Sequence, residues 1–123
     1  MYELKVITQF SAAHRLENFY GKCEGLHGHN WKVEVFLGGE RLDGAGLLMD
    51  FGVVKARTRE VLEEIDHKYL NELAAFQEQN PSSENLARYL FQRLSDTLNR
   101  DGIKVRRVNV WESDNSCAAY YQD

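Results

Sequence analysis

Residues 27–37, HGHNWKVEVFL, decide the fold. His27, His29, Trp31, Val33, Val35 and Leu37 fall on one parity, and Asn30, Lys32 and Glu34 on the other. That is the period-two pattern of a half-buried strand, and the glycines of GGERLDGAG, residues 38–46, supply the turn or short loop that closes it. Side chains two apart on a strand point the same way, so His27 and His29 leave one face together while Gly28 faces the other.

Working outward from this strand, the stretch towards the N-terminus repeats the pattern. Tyr2, Leu4, Val6, Thr8, Phe10, Ala12 and His14 alternate with Glu3, Lys5, Gln9 and Ser11, which predicts a first strand ending near His14. The polar loop RLENFYGKCEG joins the two, and hairpin pairing carries a third imidazole to the same patch. Three neutral imidazoles with an open fourth position form the pattern of a catalytic zinc site, whereas a structural site is closed by four protein ligands. Cys23, four residues before His27, has three readings at this point: a fourth ligand, a catalytic thiol beside the metal, or a loop residue with neither role.

Downstream the period changes. Asp50 suits an N-cap, and Val54, Thr58, Val61, Leu62 and Ile65 recur at helical spacing, predicting a helix over 51–65. It ends at DHKYLN, where Asp66 precedes His67; a carboxylate that meets an imidazole in space fixes its tautomer and raises its basicity. After an irregular stretch, Ser82 or Ser83 caps a second helix carrying Leu86, Tyr89, Leu90, Leu94 and Leu98, stopped by Asp101-Gly102. Strands over 104–112 and about 116–121 follow, joined by SDNS. The order ββααββ predicts one α+β domain over residues 1–123, with a four-stranded antiparallel sheet carrying both helices on one face. The other face and the sheet edges then need cover, and self-association supplies it.

Composition narrows the function. The chain has 123 residues, 28% of them charged, with a formal net charge of −4. The overall field therefore gives no reason to expect nucleic acid or a membrane surface as partner. With no signal-peptide pattern and no apolar run near the ~20 residues that span a bilayer, the expectation is a cytoplasmic protein with reduced Cys23 and Cys117.

FSAAH, CEGLHGHN, LDHKYLN, NPSSEN and WES, in this order and spread over the whole chain, resemble the 6-pyruvoyl-tetrahydropterin synthase superfamily, and within it the bacterial 6-carboxy-5,6,7,8-tetrahydropterin synthase branch of queuosine biosynthesis. The resemblance implies the tunnelling fold, in which subunits join their sheets into a barrel, as trimers or as hexamers of stacked trimers. It implies zinc on His14, His27 and His29, Cys23 as catalytic base, and Asp66 with His67 as a second acid/base group. It further implies Glu112 as the carboxylate that binds the pterin; taken alone, Glu112 reads as an exposed strand-end residue. The implied substrate is 7,8-dihydroneopterin triphosphate. Glu24 departs from that pattern, because related enzymes with a glutamate in this motif release 6-hydroxymethyl-dihydropterin instead. A 6-pyruvoyl-tetrahydropterin product and a non-catalytic pterin or purine binder on the same fold are the further alternatives.

Overall fold

The structure is a computed structural model and describes residues 1–22 and 24–122. Two long strands, β1 (Tyr2–His14) and β2 (His27–Gly39), form an antiparallel hairpin in unbroken register from Tyr2↔Gly39 to His14↔His27. Helix α1 (Phe51–Leu62), the short strand β3 (Lys68–Tyr69), helix α2 (Ser83–Leu98) and the closing strands β4 (Lys104–Ser113) and β5 (Ser116–Tyr121) complete the order. Among the described residues the sheet runs β3-β1-β2-β4-β5.

One face of that sheet carries the core. Val6, Phe10, Trp31, Val33, Val35, Leu37, Val108 and Val110 are buried on it, against Val54, Val61 and Leu62 of α1 and Leu86, Leu90, Leu94 and Leu98 of α2. Side chains of the opposite parity, such as Glu3, Lys5, Gln9, Asn30 and Lys32, remain exposed or half-buried. The alternation in β1 and β2 therefore separates the faces as the sequence predicts, and both helices pack on one side. Glu34 is the exception, a buried carboxylate on the polar parity. Trp111 Nε1 donates to it at 2.6 Å and Asn109 Nδ2 at 3.2 Å, with Lys5 Nζ 3.6 Å away. Burial pushes its carboxyl up, but the two hydrogen bonds and the neighbouring lysines outweigh that and hold it below its ordinary value.

Two details differ from the predicted elements. Helix α1 stops at Leu62 rather than running through residue 65, because the chain turns back towards the β1 edge. The Ile65 and Asp66 N–H groups both donate to the Leu62 carbonyl, at 3.0 and 2.8 Å. The second difference is an added fifth strand. β3 pairs in parallel with β1 through Ala12↔Lys68 and Ala13↔Tyr69, so the antiparallel four-strand unit gains a parallel edge.

Candidate metal centre and the adjoining cleft

The β1–β2 register places His14 opposite His27, and Ala12 opposite His29. The three imidazoles therefore gather at one end of the core face. His14 is 2% exposed and packs edge-on to Trp31, with ring centroids 4.9 Å apart; His29 does the same at 5.0 Å. Trp31 is fixed in turn by its Nε1–H, which donates to the Ala12 carbonyl at 3.2 Å. The apolar alternation that builds the sheet thus ends in a rigid aromatic floor beneath the histidines.

One side-chain atom from each of His14, His27, His29 and Glu112 falls within 4.8 Å of the others. His14 and His27 present their Nε2 atoms 3.1 Å apart. Glu112 Oε1 lies 3.0 Å from His29 Nε2 and 3.3 Å from His14 Nε2. Glu112 reaches this position because Val108, Val110 and Glu112 step by two along β4. That parity is readable in the sequence, yet only the β2–β4 pairing shows that it leads into the histidines. The glutamate expected to bind the pterin thus stands directly beside the imidazoles.

The tautomers follow from the carbonyls. His14 Nδ1 lies 2.7 Å from the Pro81 oxygen and His27 Nδ1 2.8 Å from the Gly25 oxygen. A carbonyl only accepts, so each Nδ1 carries the proton and each neutral ring turns a lone pair at Nε2 inward. Two lone pairs facing each other at 3.1 Å repel unless a cation or a proton lies between them. His29 Nε2 is buried, and Glu112 Oε1, though 3.0 Å away, does not meet it in hydrogen-bond geometry. Burial lowers the His29 pKa, Glu112 partly restores it, and the other two histidines lower it further. The donor set fits a divalent metal better than it fits extra protons.

A second group forms at the β1 edge. The Ser11 backbone N–H donates to Asp66 Oδ1 at 2.9 Å, and His67 Nδ1 lies 3.0 Å from the same oxygen. Arg59 Nη1 is 3.6 Å from Asp66 Oδ2. The Ser11 hydrogen bond leads in holding the Asp66 carboxyl below its ordinary value, against burial, with His67 and Arg59 adding to it. His67 itself has φ 59°, and its N–H donates to the Ser11 carbonyl at 2.5 Å. A cleft of about 560 Å3 is lined by both His29 and His67, together with Ser11, Gly28, Asn30 and Lys68. Ser11, Gly28 and Asn30 have the strand parity opposite to His14, His27 and His29, so this cleft, with His67 in its lining, opens on the sheet face away from the imidazole cluster.

Cys23 lies outside the described residues. Its neighbour Glu24 folds back on the loop: Glu24 N donates to the Leu16 carbonyl at 2.9 Å, and Leu16 N donates to Glu24 Oε1 at 3.2 Å. That oxygen is 3.8 Å from His27 Nε2. Ser11, Arg59, Asn71, Asn80 and Pro81 carry no role in the sequence reading, because each acts on a partner more than 50 positions away.

Taken together, fold and site define an α+β protein whose hairpin presents a three-histidine centre of the kind that holds a catalytic metal. The family model for 6-pyruvoyl tetrahydropterin synthase matches residues 3–123, and the chain belongs to that family. A 6-carboxy-5,6,7,8-tetrahydropterin synthase of Synechocystis is 34% identical over 91% of this chain and 87% of its own length. A dihydroneopterin monophosphate aldolase of Pyrococcus furiosus is also 34% identical, over 87% of this chain and 86% of its own. The solved structure of the 6-pyruvoyl tetrahydropterin synthase of Caenorhabditis elegans superposes with a TM-score of 0.88 at 27% identity, covering 99% of this chain and 96% of that one. The architecture is thus the tunnelling fold expected from the motifs.

Proposed function

We propose that the protein is a zinc enzyme that converts 7,8-dihydroneopterin triphosphate to 6-carboxy-5,6,7,8-tetrahydropterin, acetaldehyde and triphosphate, a step of queuosine biosynthesis. The observation that carries this reading is the convergence of His14, His27, His29 and Glu112 into one donor set, with Asp66 and His67 paired at the β1 edge. His14, His27 and His29 would hold the zinc, which when bound supplies Lewis-acid polarisation of the substrate's side-chain oxygens. Two protein bases serve the proton transfers. Cys23, four residues before His27 in sequence, takes a proton as thiolate, and cationic surroundings favour that form. His67, oriented by Asp66, takes or returns a proton on the cleft side. Glu112 accepts the paired N–H donors of the 2-amino-pyrimidinone edge through a carboxylate that is 35% exposed.

Glu24 supports a second reading. Its carboxylate stands 3.8 Å from His27 Nε2, and one relative bears an aldolase name. In this alternative the same substrate loses its side chain to give 6-hydroxymethyl-dihydropterin. The remaining parts of the proposal are one cytoplasmic domain over residues 1–123 acting as a homotrimer or homohexamer, with no nucleic-acid or membrane partner. Among the described residues no helix is long and apolar enough to cross a membrane.

Incubation with 7,8-dihydroneopterin triphosphate followed by mass spectrometry separates the products, since the carboxy and hydroxymethyl pterins differ in mass. The carboxy product and about one zinc per chain are expected. Cys23→Ala should retain the zinc while losing about 10²–10⁴-fold in turnover; loss of zinc in that variant would make the thiol a ligand instead.

A further inference from the structure

The NPSSEN segment, residues 80–85, leads into α2, and its hydrogen bonds also run to the candidate metal centre. Pro81 is buried, and its carbonyl accepts the His14 Nδ1–H at 2.7 Å. The chain is held on both sides of Pro81. On one side Asn85 Nδ2 donates to the Asn80 carbonyl at 2.8 Å. On the other, Ser82 caps α2 by accepting from Asn85 N at 3.1 Å. Asn80 closes the loop back to the strand that bears His14: Glu17 N donates to its Oδ1 and its Nδ2 donates to the Glu17 carbonyl, each at 2.8 Å. Asn71 brackets Arg15 in the same manner, at 3.0 and 2.8 Å.

We infer that Asn85 is a positioning residue for the metal centre: its amide N–H, by holding the Asn80 carbonyl, sets the Pro81 carbonyl that orients His14. This rests on the metal reading of the preceding subsection and adds to it a residue that touches no ligand. Hydrogen bonds behind a ligating histidine fix its tautomer and ring direction, and their removal weakens metal binding about 10–100-fold.

Helix capping does not account for the amide. The cap uses the backbone N–H of Asn85 and the Ser82 hydroxyl. Asn85 is the third helical residue, where a carboxylate serves a helix N-terminus better than a neutral amide does. What the amide contributes is a donor aimed backwards at Asn80. The helix and the metal centre therefore place opposite demands on this position, and one substitution separates them.

Asn85→Asp preserves size and the backbone cap, adds favourable negative charge to the first turn of α2, and removes the donor. Zinc affinity is measured on the full-length protein by competition with a chromophoric chelator, with urea unfolding of the metal-free form alongside. The expected result for Asn85→Asp is a zinc affinity about 10–100-fold below the parent, with an unfolding midpoint no lower than the parent's. Asn85→Ala should weaken zinc by a similar factor. Asp50→Ala, which removes the side-chain cap of α1, should lower the midpoint and leave zinc affinity within twofold of the parent. Parent-like zinc affinity in Asn85→Asp overturns the inference and leaves the metal site standing, as does an equal loss of zinc in Asp50→Ala. A parent protein that takes up no zinc overturns the metal reading itself, and this inference with it.

Discussion

His67, the acid/base group of the proposed reaction, sits on an unfavourable backbone. Its φ of 59° lies in the left-handed region, where a residue bearing a Cβ costs about 1–2 kcal/mol. The neighbours hold it there: its N–H donates to Ser11, and the ring of this 80% exposed side chain leans on Asp66. Glycine removes the steric cost, though the unfolded chain gains some entropy with it. His67→Gly should therefore exceed His67→Ala in stability by about 0.5–1 kcal/mol, while both variants lose turnover. Urea midpoints at a single protomer concentration, read beside product formation, check this. A glycine variant less stable than the alanine one would mean that the backbone at residue 67 is not under strain.

Among the elements, those with a long repeat could be read directly. β2 and α2 carry their apolar residues at strict period two and at helical spacing, so their faces and neighbours followed from the sequence. α1 ends earlier than its spacing suggests because Ile65 stays buried outside the helix, and periodicity does not distinguish a helical residue from one folded back under it. β3 has two residues, too few for any period, and exists through its bonds to the β1 edge. Leu90 illustrates the strength of the well-patterned part. It is fully buried in the core, on a helix that packs against β4 and β5, so Leu90→Ala should cost about 2–5 kcal/mol. A loss below 1 kcal/mol in urea unfolding would show that α2 does not seat on the sheet as described.

At the scale of the whole molecule, the histidine cluster was legible because it is local: a hairpin register needs only two strands and a loop. The position of Glu112 and the attachment of Asp66 to Ser11 depend on contacts 55 or more residues apart along the chain, which no local pattern encodes. The same long-range contacts make stability depend on pH. The Glu34, Glu64 and Asp66 carboxyls all lie below their ordinary values. Glu64 is lowered first by its hydrogen bonds with Arg93, then by that of Tyr89, against burial. A carboxylate whose folded pKa is depressed stabilises the fold above its unfolded pKa, and that contribution is lost as pH falls through the folded value. In the metal-free protein His29 acts in the same direction. Its pKa is lowered from an ordinary value of 6.5, so the unfolded chain takes up the proton first and stability begins to fall below that pH. Urea midpoints of the apoprotein should therefore decline in two stages, a shallow one below about pH 6.5 and a steeper one below about pH 4.5. Because Glu64 is partly exposed and screened by solvent, Glu34 and Asp66 should dominate the lower stage. The double variant Glu34→Gln and Asp66→Asn should start lower at neutral pH and lose less on acidification. Parallel pH curves for parent and variant would mean that the acid sensitivity lies in other groups.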